Sequence, residues 1–237
     1  MKGTPLVLLH GYPFDHTMWD SVVAQFEPDR RFLAPDLRGF GIEVAGAEPS
    51  VDVMAEDVGR QLPGEAVIAG FSMGGYVALA LAEKFPEVVA GLVLINSQAA
   101  ADGEEARQGR RMMIEKVRKE GTRAATDGAI PKLFAKRREE LTGYALKGAE
   151  RASVTGITWA LEAMARRPDR TPVLQRLGKP ILIVHSTEDQ FIPATRAREL
   201  AANLQAKYVE IDGTGHCTPL EAPDKVAAAL KDFVDGR

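Results

Sequence analysis

Residues 66–86 read AVIAGFSMGGYVALALAEKFP, and this stretch decides the fold. Residues 66–69 have the length and apolar character of a buried strand, and residues 76–85 have the spacing of a helix that ends before Pro86. Between them lies Gly70-Phe71-Ser72-Met73-Gly74, a G-x-S-x-G. In strand–turn–helix order this pattern is typical of a nucleophile elbow, in which a strained turn exposes the serine hydroxyl. We interpret the flanking glycines as necessary because side chains there would collide with the neighbouring strand and helix.

Two other interpretations of this stretch carry less weight. A G-x-S-x-G also arises by chance as a glycine-rich turn, but here the strand, the helix and the additional Gly75 all agree with an elbow. A phosphate-binding loop is disfavoured because no Lys-Ser or Lys-Thr follows the glycines, and no G-x-G-x-x-G occurs in the chain. Ser72 is therefore the first candidate for a catalytic residue.

Composition limits the class of protein. The chain has 237 residues, of which 45% are hydrophobic and 27% charged, and this suits one sizeable α/β domain, with room for an insertion. The net charge of −3 gives no reason to expect nucleic acid as a partner. The four histidines lack metal-ligand spacing, so we expect no metal site, and no motif implies an organic cofactor.

Cysteine content and hydropathy bear on the compartment. The single cysteine, Cys217, excludes an internal disulfide and fits a reducing, cytoplasmic environment. The apolar run at residues 6–9 is too short for a signal peptide, and no stretch approaches the length of a membrane span. We therefore expect a cytoplasmic protein without membrane association.

Strands and helices alternate along most of the chain. Strands are predicted at residues 6–9, 31–34, 66–69, 91–95, 180–184 and 207–211, and helices at 15–26, 50–62, 76–85, 194–204 and 222–234. This alternation predicts a parallel sheet with helices on both faces. Residues 98–170 contain no strand-like run and are rich in charged residues and alanine. We predict a core of residues 1–97 and 171–237, with residues 98–170 as a helical insertion that caps the carboxyl edge of the sheet.

Two residues near the ends of later strands complete a candidate constellation with Ser72. A serine nucleophile needs a base, and the base needs a group that holds it. In an open parallel sheet these groups come from loops at the carboxyl ends of strands. Asp189 and His216 follow the two last predicted strands, and the order Ser72, Asp189, His216 is the one expected for this type of elbow.

Several further motifs agree with this arrangement. They are His10-Gly11, Asp36-Leu37-Arg38-Gly39-Phe40-Gly41, Gly70 to Gly75, Asp189 with Ile192-Pro193, and Gly215-His216 with Glu221 and Pro223. On these motifs the chain resembles the α/β-hydrolase superfamily, in its compact capped branch of esterases and enol-lactonases. The resemblance covers nearly all of the chain outside the insertion. It implies the α/β-hydrolase fold. Relatives usually have a strand hairpin before the His-Gly strand, and here we expect a sheet of about six strands without that hairpin.

The resemblance also implies roles for individual residues. Ser72 would be the nucleophile, His216 the general base, and Asp189 the acid that orients the imidazole. The backbone N–H groups of Tyr12 and Met73 would form the oxyanion hole. Glu188 and Asp102 are the alternatives to Asp189 as this acid. Glu188 lacks the family spacing to Ile192-Pro193, and Asp102 follows an earlier strand and suits the surface of the insertion better.

Contacts with the substrate are harder to assign from sequence. Tyr12, Phe134, Trp159 and Phe191 are nominated as pocket residues because they are aromatic and lie near the site or in the insertion. Between residues 102 and 151 there are 13 Lys and Arg against 9 Asp and Glu, a local charge of +4. Such a segment can attract anionic substrates, although a solvated helical surface is the simpler interpretation.

We expect an enzyme that hydrolyses carboxylic esters, of the carboxylesterase type, with lactones and thioesters as close alternatives. Its partner would be a small-molecule ester, and its assembly state, monomer or homodimer, stays open. Carbon–carbon bond hydrolases, cofactor-free haloperoxidases or perhydrolases, and lyases can use the same triad. A ligand-binding sensor built on the same fold is a further, less favoured alternative.

Overall fold

The computed structural model describes residues 3–41, 48–62, 64–135 and 139–236. Six strands form one sheet in the order β2-β1-β3-β4-β5-β6, and every neighbouring pair is parallel. The strands are β1 Leu6–Leu9, β2 Phe32–Leu33, β3 Ala66–Phe71, β4 Val89–Ile95, β5 Ile181–Ser186 and β6 Lys207–Ile211. The predicted parallel sheet of about six strands is confirmed.

Twelve helices are found in the described part of the chain. They are α1 Asp20–Val23, α2 Val51–Gly59, α3 Met73–Lys84, α4 Glu104–Glu120, α5 Ala124–Asp127, α6 Ile130–Leu133, α7 Glu139–Arg151, α8 Val154–Arg166, α9 Thr171–Arg176, α10 Ala194–Leu204, α11 Thr218–Glu221 and α12 Pro223–Asp235. Ser50 caps α2, since its hydroxyl accepts a hydrogen bond from the Asp52 N–H at 3.1 Å. The helix predicted at 15–26 was too long, because a 3₁₀ turn at His16–Trp19 precedes the short α1.

The sheet is buried on both faces, as a parallel sheet covered by helices requires. Along β1 the side chains alternate, so that Val7 and Leu9 join one apolar cluster while Leu6 and Leu8 join another. The first cluster includes side chains of α2, α3 and α8, and the second includes side chains of α12. The two central strands, β3 and β4, are buried almost throughout. Their carboxyl ends are therefore a rigid platform.

The helical insertion, residues 98–170, lies between β4 and β5, and its described residues contain helices but no strand. It is joined to the core by close contacts. A Cβ on Gly156 of α8 would lie only 2.1 Å from the Gly39 carbonyl oxygen, so the two backbones touch. Tyr144 of α7 shares a hydrogen bond of 2.8 Å with the Thr17 hydroxyl. The boundaries of the insertion as a separate unit stay a prediction. Among the described helices, none has the length and apolar character needed to cross a membrane.

Candidate active site

The turn between β3 and α3 holds Ser72 in a strained conformation. Its φ of 49° and ψ of −112° lie outside the regions that most residues adopt. A Cβ on Gly74 would lie 2.2 Å from the Leu9 carbonyl oxygen, and one on Gly70 would lie 2.3 Å from the Gly74 carbonyl oxygen. Both flanking glycines are thus required by contact with the backbone, as the sequence predicts.

Three predicted residues come together at the carboxyl edge of the sheet. The His216 ring lies between the other two, with Nε2 2.9 Å from Ser72 Oγ and Nδ1 2.8 Å from Asp189 Oδ2. A carboxylate can only accept, so Nδ1 carries the proton in this pair. Nε2 is then free to accept the proton of the serine hydroxyl. This arrangement can activate an alcohol as a nucleophile.

The Asp189 carboxylate is buried and held by several donors. Its Oδ1 accepts hydrogen bonds from the backbone N–H groups of Phe191, at 2.8 Å, and Ile192, at 3.0 Å. Its Oδ2 accepts from Asn96 Nδ2 at 3.0 Å as well as from His216. Burial alone raises the pKa of Asp189, but the hydrogen bonds and the imidazole charge outweigh it and lower that pKa to about 2. The carboxylate is therefore ionised at neutral pH.

Sequence reasoning missed two polar residues at the end of β4. Asn96, with a φ of 43°, donates from Nδ2 to the Ser186 hydroxyl at 2.7 Å and to Asp189. The Ser97 hydroxyl donates to the Ser72 carbonyl oxygen at 2.8 Å. Their position directly after a strand beside the elbow was the available signal, although no motif marks them. Asn96 and Ser97 hold the acid and the elbow in place.

The two backbone N–H groups expected to form the oxyanion hole belong to Met73, in α3, and to Tyr12, in the loop after β1. Met73 is the first residue of α3, and the first N–H groups of a helix have no partner within it. Tyr12 lies in the loop that His10 holds, because His10 Nε2 accepts from the Leu37 N–H at 2.9 Å and Nδ1 contacts the Gly11 carbonyl oxygen at 3.1 Å. Burial lowers the pKa of His10 to about 4, so this ring is neutral. His10 thus holds the loop in place by hydrogen bonding.

A cavity of about 380 Å³ opens beside Ser72 and His216. Of the four nominated pocket residues, Tyr12 and Phe191 line it. Phe134 and Trp159 are buried elsewhere, so the structure does not bring them to the cavity. Phe134 packs in the apolar cluster that includes Cys217, and Trp159 packs in the cluster on the opposite face of the sheet. The insertion contributes Met113, Leu133, Leu161 and Met164 to the apolar wall instead.

One part of the cavity wall is charged. Arg110 of α4 and Asp102 both line the cavity, and Arg110 Nε lies 2.5 Å from Asp102 Oδ2. Asp102 Oδ1 also pairs with Arg167 Nη1 at 2.7 Å, and the Arg167 guanidinium lies 3.8 Å from the centre of the Tyr76 ring. Asp102 is therefore buried and bound to arginines rather than on the surface of the insertion, where it was expected.

Three other titratable residues lie near the site in the sequence or the structure: Glu221, Cys217 and Glu188. Glu221 accepts hydrogen bonds from the backbone N–H groups of Gly215, at 2.7 Å, and Ala135, at 3.0 Å, which fixes the His216 loop against the insertion. Burial raises the pKa of the Cys217 thiol, so Cys217 is a poor nucleophile. Glu188 is exposed, whereas Asp189 is buried. No group of three His, Cys, Asp or Glu residues within the described ranges could hold a metal ion.

Comparison with known proteins gives consistent matches over the whole length. The model of the Alpha/beta hydrolase family matches residues 6–229. A pimeloyl-[acyl-carrier protein] methyl ester esterase of Aromatoleum aromaticum is 28% identical over 252 residues, which cover 100% of both chains. A thermophilic esterase from Thermogutta terrifontis, solved with malate bound, is 33% identical with a TM-score of 0.92, and the match covers 99% of this chain and 90% of that one. An enol-lactonase from Burkholderia xenovorans is 26% identical with a TM-score of 0.88, over 98% of this chain and 92% of that one.

Proposed function

The chain belongs to the alpha/beta hydrolase family, and we propose that it hydrolyses small carboxylic esters by nucleophilic attack of Ser72. The observation that carries this proposal is the 2.9 Å contact between Ser72 Oγ and His216 Nε2, with Asp189 behind the imidazole. Relatives named as esterases support the reaction class. The triad and its roles are our own inference from the geometry.

In the first half of the reaction, Ser72 Oγ bonds to the ester carbonyl carbon while His216 Nε2 takes the hydroxyl proton. Negative charge develops on the carbonyl oxygen, and the N–H groups of Tyr12 and Met73 would donate to it. The tetrahedral intermediate collapses when the carbon–oxygen bond to the alcohol breaks. His216 then gives its proton to the departing alcohol, and an acyl-Ser72 ester remains.

Water completes the cycle with the same groups. His216 Nε2 removes a proton from the water as it attacks the acyl carbon, and Ser72 leaves with that proton restored. Asp189 keeps Nδ1 protonated and stabilises the imidazolium formed in each half-reaction. Its low pKa supports this role because the carboxylate stays ionised wherever the histidine is functional.

The cavity supports a substrate of modest size. Its volume of about 380 Å³ is at the small end of ligand sites, which usually span about 300–1,000 Å³. Leu133, Leu161 and Met113 give it an apolar wall that suits short acyl or alcohol chains. Lactones fit the same chemistry, in line with the enol-lactonase among the similar structures, and thioesters remain an alternative.

The test is hydrolysis of a panel of short p-nitrophenyl esters, thioesters and lactones by the parent protein and by Ser72→Ala. We expect Ser72→Ala to lower kcat by about 10⁴- to 10⁶-fold, because the remaining groups cannot supply a nucleophile. Ser21→Ala, which changes an exposed serine in α1, is the matched control and should retain parent activity. A well-folded parent protein that turns over none of these substrates would contradict the proposal. A single stoichiometric acylation without turnover would favour the ligand-binding sensor.

A further inference from the structure

Arg110 differs from the solvated arginines around it. Its side chain is only 20% exposed and lines the cavity, whereas the next residue, Arg111, is 49% exposed and pairs with Glu104 on the surface. Arg110 Nε donates to Asp102, and Nη1 contacts Met164 Sδ at 3.4 Å. Among the residues that the structure describes, Nη2 has no hydrogen-bond partner. The guanidinium thus has unused donor capacity inside the cavity.

The charge around Arg110 is not balanced. Asp102 is shared between two guanidinium groups, so the group of three carries a net charge of +1. Arg167 is covered, because it lies against the Tyr76 ring and donates to the carbonyl oxygens of Met164 and Ala100. Arg110 is the member of the pair that reaches the cavity. A positive charge in a largely apolar, partly enclosed site attracts an anion strongly.

The hydroxyl of Tyr12 is a second free polar group at this site. It is fully buried and has no hydrogen-bond partner among the described residues, although Tyr12 lines the cavity. Burial raises the pKa of Tyr12, and the charge of Arg110 opposes that rise, so the phenol remains a protonated donor. A buried hydroxyl without a partner is costly, and an acceptor on a ligand would satisfy it.

We propose that Arg110 and the Tyr12 hydroxyl bind a free carboxylate of the substrate, so that the enzyme prefers half-esters of short dicarboxylic acids. The two oxygens of a carboxylate match one guanidinium donor and one hydroxyl donor. A single excess positive charge suits a monoanion, and the apolar wall suits the methylene groups between the carboxylate and the scissile ester. This inference rests on the proposed ester hydrolysis, and it adds a charged end to the small apolar substrate expected from the sequence.

The test compares kcat/KM for the monomethyl esters of succinate, glutarate and adipate with that for neutral methyl esters of equal chain length. We expect the parent to favour the half-esters by about 10- to 100-fold, the range for a charge-assisted contact in a desolvated site. Arg110→Gln should lower this ratio by a similar factor, mainly through KM. Arg111→Gln, the matched control on the surface of the same helix, should keep the parent ratio.

Two further measurements guard against a folding defect in Arg110→Gln. Tyr12→Phe removes only the hydroxyl and leaves the backbone N–H, and it should lower the half-ester preference by about 5- to 10-fold. Glutarate should bind the parent protein in calorimetry, and it should bind more weakly to Arg110→Gln. A parent ratio near one would overturn the inference, and so would a preference for half-esters that Arg110→Gln leaves unchanged.

Failure of this inference can be told apart from failure of ester hydrolysis itself. If neutral p-nitrophenyl esters are hydrolysed while half-esters gain no advantage, only the carboxylate site is wrong. If no ester is hydrolysed, glutarate binding still tests Arg110 directly, because binding does not require turnover.

Discussion

The carboxyl edge of the sheet and the helical insertion face the same cavity, but different interactions position their side chains. At the sheet edge each polar group follows the end of a strand: Ser72 after β3, Asn96 after β4, Asp189 after β5 and His216 after β6. In the insertion, Arg110 projects from the middle of α4 and is directed by Asp102 and Met164. Backbone topology therefore places the polar groups at the sheet edge, whereas side-chain packing determines which groups of the insertion line the cavity.

The largest expected effect is a loss of kcat when Asp189, the acid at the sheet edge, is replaced. Asp189→Asn should lower kcat by about 10⁴-fold, because an amide can stabilise the wrong imidazole tautomer. Kinetics on a p-nitrophenyl ester measure the loss. Glu188→Gln changes the adjacent exposed carboxylate and should remain within about twofold of the parent. Equal losses in both variants would contradict the assignment of Asp189.

Replacing a glycine by alanine should destabilise the protein at the sheet edge but stabilise it in the insertion. Gly74→Ala places a Cβ against the Leu9 backbone and should reduce the free energy of unfolding by at least about 3 kcal/mol. Gly143→Ala, in α7, meets no atom within 4 Å and should stabilise by about 0.5 kcal/mol, since alanine favours a helix. Chemical denaturation measures both. A tolerated Gly74→Ala would show that the elbow is looser than described.

The sheet-edge residues could be predicted from sequence for a physical reason. Strand–turn–helix order places a glycine-flanked serine at the edge, and the last two strands deliver Asp189 and His216 to the same edge whatever their side chains pack against. Asn96 and Ser97 obey the same rule but lie in no recognisable motif, so they were found only in the structure.

Side-chain directions in the insertion could not be predicted in this way. Phe134 and Trp159 are aromatic, as a pocket wall suggests, yet both are buried in apolar clusters and neither lines the cavity. Which face of a helix turns toward a cavity depends on contacts with distant parts of the chain, such as that between Gly156 and Gly39. Arg110 is one of 13 basic residues in its segment, and its place in the cavity wall beside Asp102 follows from packing that the sequence does not reveal.

The Asp102 carboxylate should matter for the stability of the insertion. Asp102→Asn removes the charge shared by Arg110 and Arg167 and leaves Arg167 buried with only carbonyl and aromatic partners. We expect a loss of about 2 kcal/mol in the free energy of unfolding. Thermal unfolding measures it, with the exposed Asp127→Asn in α5 as the control. If both variants unfold alike, the buried charges do not anchor the insertion.

The smallest effect concerns acid sensitivity, which we assign to the core, since residues 98–170 contain no histidine. Burial lowers the pKa of His10 to about 4 and also lowers that of His185, so the unfolded chain takes up these protons first as pH falls below about 6.5. Stability should therefore be full above that pH and fall by about 1 kcal/mol through His10 between about pH 6.5 and pH 5.5, and His185 should add a loss in the same direction.

His10→Gln removes one of these two contributions. The variant should start less stable, because a buried hydrogen bond is altered, but it should lose less stability on acidification than the parent. His16→Gln is a useful control, because its hydrogen bond with Asp36 raises the pKa of His16 and gives the opposite sign. Melting temperatures across this pH range provide the measurement. If the melting temperatures of the parent and of His10→Gln fall equally with pH, His10 does not contribute to the acid sensitivity.

The most direct test of the central claim is intact-mass spectrometry after treatment with a fluorophosphonate, which reacts with activated serines. The relay of Ser72, His216 and Asp189 predicts one adduct on the parent protein, one on Ser21→Ala and none on Ser72→Ala. An unlabelled parent protein that is shown to be folded, or an adduct that persists in Ser72→Ala, would contradict the assignment of Ser72 as the nucleophile.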